Sequence, residues 1–229
     1  MHAHDQTMQL PGHRSFPSAP QVAPGILDAF RDVAVAVISD NMNRLHGTRN
    51  LRPMHGPARL IGTAVTVKTR PGDNYALHLS YDHLRESDVL VVDGGGDLNQ
   101  ALVGEIMMMR AKLQGVAGFV IDGAVRDVPA FADAGFPCFA RGVTHRGPYK
   151  TGPGETNVPI AVDGMVVMPG DLVVADEDGV IAFPPAAAEE LLSRVRAQEE
   201  REALALQAIA EGRFDNSYIG ISAPAAKPG

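Results

Sequence analysis

Cysteine is almost missing from this chain, and the single residue present, Cys138, excludes an internal disulfide and fits a reducing compartment. It sits in the apolar run FPCFA, the setting of a buried packing thiol. No apolar run approaches the roughly 18 residues that a bilayer-spanning helix needs. The N-terminus, MHAHDQTMQLPGHRSFPSAP, is polar and proline-rich and has no apolar signal core. The cytoplasm is the expected address, with no membrane partner. A positive charge excess is also lacking, since 20 Lys and Arg stand against 27 Asp and Glu, for a formal net charge of -7. That balance gives no electrostatic reason for nucleic-acid binding and suits a metal-using enzyme at least as well.

Several catalytic signatures are absent too. His78, His83 and His145 are scattered, without H-E-x-x-H or similar spacing, which argues against a zinc site. His2 and His4 lie on the N-terminal arm, where any metal binding would be adventitious. No G-x-S-x-G elbow is present, and Cys138 has no obvious partner base. No internal repeat at solenoid spacing is present, and 229 residues suffice for one large or two small domains with a substantial core.

What is present is an alternation of strands, glycine-rich loops and helices. Residues 24–43 place Ile26, Leu27, Phe30 and Val33 on one helical face, while 33–38 reads equally as more helix or as a strand. Residues 59–69 (RLIGTAVTVKT) are β-branched and partly alternating, hence a strand, and 74–86 reads as a helix. The runs VLVV (89–92) and GFVI (118–121) have the look of buried strands entering loops. Between them a helix is expected around 101–114, closed by Gly115, and after the second comes a short helix at 129–134, followed by a strand at 136–140. This is α/β organisation. Beyond residue 141, short β-branched runs separated by Asp-Gly and Pro-Gly signals predict β-hairpins. A strong helix former covers 189–211, with Leu192, Val195, Leu204, Leu206 and Ile209 as its apolar positions. Residues 1–20 are expected to form a flexible arm, 21–221 one domain, and 222–229 a flexible tail.

Three features could carry chemistry. The first is DGGGDLNQALVGE (93–105), where clustered glycines and a following helix start suit a bound anion or simply a strand-to-helix turn. Asn99 stands where the last glycine of a dinucleotide fingerprint would fall, and no P-loop is formed, so an anion smaller than a nucleotide is the better fit. The second is DGAVRD (122–127). Arg126 beside Asp127 is either a surface ion pair or a division of labour, with a guanidinium fork for a carboxylate or enolate and a hard oxygen ligand for magnesium. The third is Glu105, favoured at a helix start by the macrodipole, and able to join Asp127 if the two loops converge. The Met107, Met108, Met109 run reads as core filler.

Taken together, VVDGGGDLNQALVGE, GFVIDGAVRD and PGDLVVADEDGVIAFP resemble the 4-hydroxy-4-methyl-2-oxoglutarate aldolases, a family that also contains the regulator of ribonuclease E activity A. The likeness runs from about residue 22 to 212. It implies a layered α/β/β/α sandwich assembled as a trimer or dimer of trimers. It further implies that backbone amides of Gly104, Glu105, Ile106 and Met107 receive a pyruvoyl carboxylate and that Arg126 steadies the developing enolate. Asp127 would ligate Mg2+ or Mn2+ directly, Glu105 would do so through water, and a glutamate from a neighbouring subunit's C-terminal helix (Glu202, with Glu199 and Glu200 as alternatives) would complete the site.

The implied reaction is metal-assisted cleavage of a 4-hydroxy-2-oxo diacid, of the 4-hydroxy-4-methyl-2-oxoglutarate or 4-carboxy-4-hydroxy-2-oxoadipate type, to pyruvate and a second oxo acid. Oxaloacetate decarboxylation passes through the same enolate and is the expected side activity. Arg141, His145 and Lys150 are candidates to read a distal carboxylate, or are surface charges. Two rivals stay open: a non-catalytic protein that binds a ribonuclease, and a lyase or decarboxylase on another 2-oxo acid.

Overall fold

The computed structural model describes residues 10–57 and 59–213. His2, His4 and the expected tail at 222–229 lie outside the described residues. Two short helices come first, α1 (Pro24–Phe30) and α2 (Val35–Asn41). They are separate because Val33 turns fully into the core between them and the Val35 N–H donates to buried Asp176 Oδ2 at 2.9 Å, starting a new helix. Strands β1 (Arg52–Pro53) and β2 (Leu60–Thr69) follow, then α3 (Tyr75–Ser80) and β3 (Asp88–Asp93). The helix expected over 74–86 is thus shorter. Asp88 Oδ2 takes the Arg85 N–H at 2.8 Å and holds residues 85–88 in a turn.

The next units are β4 (Ala101–Val103), α4 (Glu105–Leu113), β5 (Gly118–Val125), α5 (Val128–Ala134) and β6 (Cys138–Val143). Here two expectations change. Residues 101–103 are strand rather than helix, because β3 ends at Asp93 and β4 takes its place beside the far half of β5, with Ala101 opposite Ala124. For the same reason β5 continues through the DGAV segment to Val125, and only Arg126 and Asp127 form the turn into α5. Gly115 does close α4, at φ 74°, a left-handed position that glycine occupies without strain. The rest of the chain gives β7 (Gly154–Thr156), the hairpin of β8 (Ile160–Val162) and β9 (Met165–Val167), the hairpin of β10 (Leu172–Asp176) and β11 (Gly179–Phe183), and the long helix α6 (Ala188–Ala210).

The main sheet runs β1-β6-β5-β3-β2-β10-β11. Its centre, β2, β3, β5 and β6, is parallel, so all four carboxyl ends lie along one edge. Alternation along each strand sorts the side chains into layers. Leu90, Val92, Phe119 and Ile121 face α3, α4 and α5 through Leu77, Met108 and Phe131. Val89, Val91 and Val120 face the opposite way, onto Val173, Ala175 and the β8–β9 hairpin. Leu172, Val174, Ile181 and Phe183, on the outer side of β10 and β11, pack on α1, α2 and α6. The result is the expected α/β/β/α layering, with each fully buried aliphatic or aromatic side chain contributing roughly 1.5 to 3 kcal/mol.

Residues 10–20 are not a loose arm. Phe16 N–H donates to Thr156 O at 3.1 Å, Thr156 N–H to Arg14 O at 2.9 Å, and Ser18 Oγ to His83 O at 2.8 Å. Arg14 also pairs with buried Glu155. A polar segment docks here because β7 offers it backbone partners. On α6, Leu191 and Val195 are buried, but Leu204, Leu206 and Ile209 are exposed. Among the described residues, the buried positions of α6 all fall in its first half.

Candidate active site

Two strand-to-helix junctions meet at the carboxyl edge of the parallel strands, the place where open α/β sheets bind ligands. The first is β4–Gly104–α4. Gly104 is extended (φ -155°, ψ -165°) and lacks a side chain to cap the helix. The second is β5–Arg126–Asp127–α5, in which Asp127 adopts a left-handed conformation (φ 57°, ψ 37°) that aspartate tolerates better than most residues. Its carboxylate makes no hydrogen bond to its own helix. Instead Oδ2 accepts the Glu105 N–H at 3.1 Å, so Asp127 supplies the cap that Gly104 cannot. Arg126 is tied in by its N–H to Val103 O at 3.1 Å, and its Nε stands 3.5 Å from Asp127 Oδ2. Both side chains are 42% exposed, so this is a screened contact rather than a stabilising bridge.

The glycine is required sterically. A Cβ on Gly104 would stand 2.4 Å from Asp127 Oδ2 and 3.0 Å from Arg126 Cγ.

A cavity of about 220 Å³ opens on one side of this junction, lined by Gly104, Ile106, Met107 and Arg126 together with Asn74, His78 and Lys150. Four of the five residues expected to bind substrate therefore share one wall. The fifth, Glu105, faces an adjoining depression with Asp127 and Asp133. The Glu105 N–H is taken by Asp127 Oδ2, while the amides of Ile106 and Met107 have no intrahelical acceptor, so the start of α4 favours an anion at those two. Asn74 Oδ1 and His78 Nε2 are buried atoms without a hydrogen-bond partner among the described residues, and the two residues that carry them line this cavity. Burial, then the charges of Lys150 and Arg110, holds the His78 imidazole below its ordinary pKa. His78 has no zinc-ligand spacing in the sequence, and its burial against the cavity, not a motif, singles it out.

Glu202 is not brought to this place within one chain. Its Oε1 accepts from Gln198 Nε2 at 2.8 Å in the α6 layer, near Asp40 and Arg44, whereas Asp127 lies in the layer of α4 and α5. Among the described residues no group of three or more His, Cys, Asp or Glu side chains is poised to hold a metal. Glu105 and Asp127 are two carboxylates on one depression, and Asp127 Oδ1 makes no hydrogen bond among the described residues. This sparse set of hard oxygens fits magnesium, which keeps several waters, and not zinc.

Arg141, a candidate reader of a distal carboxylate, is already engaged. Its Nε donates to Asp122 Oδ1 at 2.6 Å and its Nη2 to Asp163 Oδ1 at 2.9 Å. His145 is exposed and does not line the cavity, while Lys150 does.

These features define a mixed α/β protein with a helix start, an arginine and two carboxylates at one sheet edge. The chain belongs to the Aldolase/RraA family, whose RraA-like profile matches residues 35–182. A relative from Halalkalibacterium halodurans named "Putative 4-hydroxy-4-methyl-2-oxoglutarate aldolase" is 36% identical over 183 residues, covering 80% of this chain and 87% of its own. Two solved structures are also similar. Streptomyces coelicolor RraAS2, described as an unusual member of the RNase ES inhibitor RraA family, has a TM-score of 0.75 at 26% identity, over 81% of this chain and 98% of that one. The RNA-processing inhibitor RraA from Thermus thermophilis has a TM-score of 0.61 at 32% identity, over 67% of this chain and 93% of that one. Among the described residues no helix is long and apolar enough to cross a membrane.

Proposed function

We propose that the protein is a divalent-metal-dependent aldolase that cleaves a 4-hydroxy-2-oxo diacid to pyruvate and a second oxo acid. The observation that carries this reading is the sharing of one wall by Arg126 and the start of α4, with Asp127 and Glu105 on the adjoining face. Asp127 and Glu105, joined by Glu202 of a neighbouring copy in a trimer or dimer of trimers, would hold Mg2+ or Mn2+. When bound, such an ion polarises the 2-oxo group as a Lewis acid. The first-turn amides of α4 orient the substrate carboxylate. Cleavage passes the proton of the 4-hydroxyl to a water held beside Glu105, makes that carbon a carbonyl, and leaves the electrons of the C3–C4 bond on the pyruvate enolate, which takes a proton back at C3 to give pyruvate. Arg126 offers fixed donors where that charge develops, an effect commonly worth about 3 to 4 kcal/mol. Oxaloacetate loses carbon dioxide to the same enolate, so decarboxylation accompanies the main activity.

The test is pyruvate release from 4-hydroxy-4-methyl-2-oxoglutarate and oxaloacetate, with magnesium and with chelator. Arg126→Ala and Asp127→Ala should each abolish release while circular dichroism stays native. Near-wild-type turnover in both would sink the assignment. The alternative, a non-catalytic ribonuclease regulator, draws support from the likeness to the two inhibitors. Magnesium-loaded protein that releases no pyruvate but binds a ribonuclease tightly would select it.

A further inference from the structure

The same cavity is also lined by groups that the reaction as written does not use. Asn74 is 3% exposed. Its Nδ2 donates to Leu102 O at 2.9 Å and to Met107 Sδ at 3.4 Å. A carbonyl oxygen can only accept, so this bond fixes which way the amide faces and leaves Oδ1 as an acceptor without a donor. His78 stands one helical turn further along, its N–H bonded to Asn74 O at 3.1 Å, and its Nε2 is likewise unpartnered. Residues four apart share a helix face, and both line the one cavity. Lys150 brings a positive charge to the same cavity.

An orphan acceptor is complementary to a ligand that carries a hydroxyl, and a nearby ammonium to one that carries a carboxylate. Pyruvate and the keto form of oxaloacetate have no hydroxyl to donate. A 4-hydroxy-2-oxo diacid has both groups on the half that departs.

We propose that Asn74 Oδ1 accepts the hydrogen bond of the substrate's 4-hydroxyl and that Lys150 pairs with the carboxylate of the departing half, making these two residues the selectivity elements of the site. This rests on the aldolase reading for the identity of the ligand. His78 lines the same pocket, and burial together with the charges of Lys150 and Arg110 lowers its imidazole pKa. A site built around a buried polar atom discriminates strongly against the analogue that cannot pair with it.

The experiment measures binding, so it does not depend on turnover. Wild-type protein with magnesium is titrated calorimetrically with 2,4-dihydroxyglutarate and with 2-hydroxyglutarate, neither of which can be cleaved because the 2-oxo group is reduced. The dihydroxy acid should bind about tenfold tighter or more. Asn74→Leu, of similar size, should shrink that preference to less than about twofold. Lys150→Met, at an exposed position, should weaken both ligands by the same factor and keep the preference. Equal binding of the two acids to the wild type overturns the role of Asn74. So does a preference that survives in natively folded Asn74→Leu. Unchanged affinities in Lys150→Met overturn the role of the lysine. If Asn74→Leu does not fold, the wild-type pair of ligands still decides. A wild type that releases no pyruvate defeats the aldolase reading alone, because the two affinities are measured regardless.

Discussion

Asp127 caps a helix that is not its own: its Oδ2 accepts the N–H of Glu105, 22 residues earlier, at 3.1 Å. The two strand-to-helix junctions are thereby locked to each other by a carboxylate also expected to meet the metal. Position and charge are linked in one side chain. Moving the cap moves the ligand, and removing the ligand uncaps α4.

Gly104→Ala tests that linkage without touching either acid. The added methyl group would stand 2.4 Å from Asp127 Oδ2, so the carboxylate must shift. Pyruvate release should fall on the order of a hundredfold, as misplacement by an ångström can cause. The thermal midpoint should move by only a few degrees, corresponding to loss of a cap worth about 1 kcal/mol. Equal turnover in the variant would show that Asp127 does not need this placement.

Arg126→Lys keeps the charge but not the fork. The Arg126 main chain is anchored by its N–H on Val103 O, and the residue lines the cavity beside the start of α4. A lysine ammonium is a point charge on a shorter reach and cannot reproduce a planar bidentate contact. The substitution should lower kcat/KM about a hundredfold, chiefly through kcat if the contact strengthens as the enolate forms. A change confined to KM would mean that Arg126 only binds the ground state.

Much of this was legible in the sequence. The parallel strands announced themselves as VLVV and GFVI, because strands covered on both faces are apolar without alternation. The hairpins followed from Asp-Gly turns, and Arg126 with Asp127 from their place at a strand end. Three things were not legible. The ALV strand at 101–103 is made by a vacancy beside β5, a tertiary fact that no local propensity encodes. The docking of residues 10–20 depends on the free edge of β7, far along the chain. Asn74 and His78 carry no motif, and only their burial against the cavity singles them out.

Cys138 gives a check on the core. The thiol is fully buried, its N–H bonded to His55 Nδ1 at 3.0 Å, and burial pushes its pKa well above the ordinary thiol range. The thiolate is the reactive species, so native protein should not react with a disulfide reagent near neutral pH over hours. One equivalent should react at once after denaturation. Rapid labelling of the native protein would show that this strand opens.

The docked segment at 10–20 should be sensitive to acid, and the sign follows from Glu155. The hydrogen bond from Arg14 holds the Glu155 carboxyl below its ordinary pKa, against a burial effect that works the other way. A carboxylate depressed in the folded state stabilises above its unfolded pKa of about 4.3, and that contribution disappears as pH falls through the folded value. Hydrogen exchange, corrected for intrinsic rates, should therefore show Phe16 and Thr156 amides protected at neutral pH and losing protection below about pH 4. Arg14→Ala should lower protection already at neutral pH, and Glu155→Gln should flatten the pH dependence. Full protection in Arg14→Ala at neutral pH would mean that the backbone bonds to β7 hold the segment unaided, with the ion pair incidental.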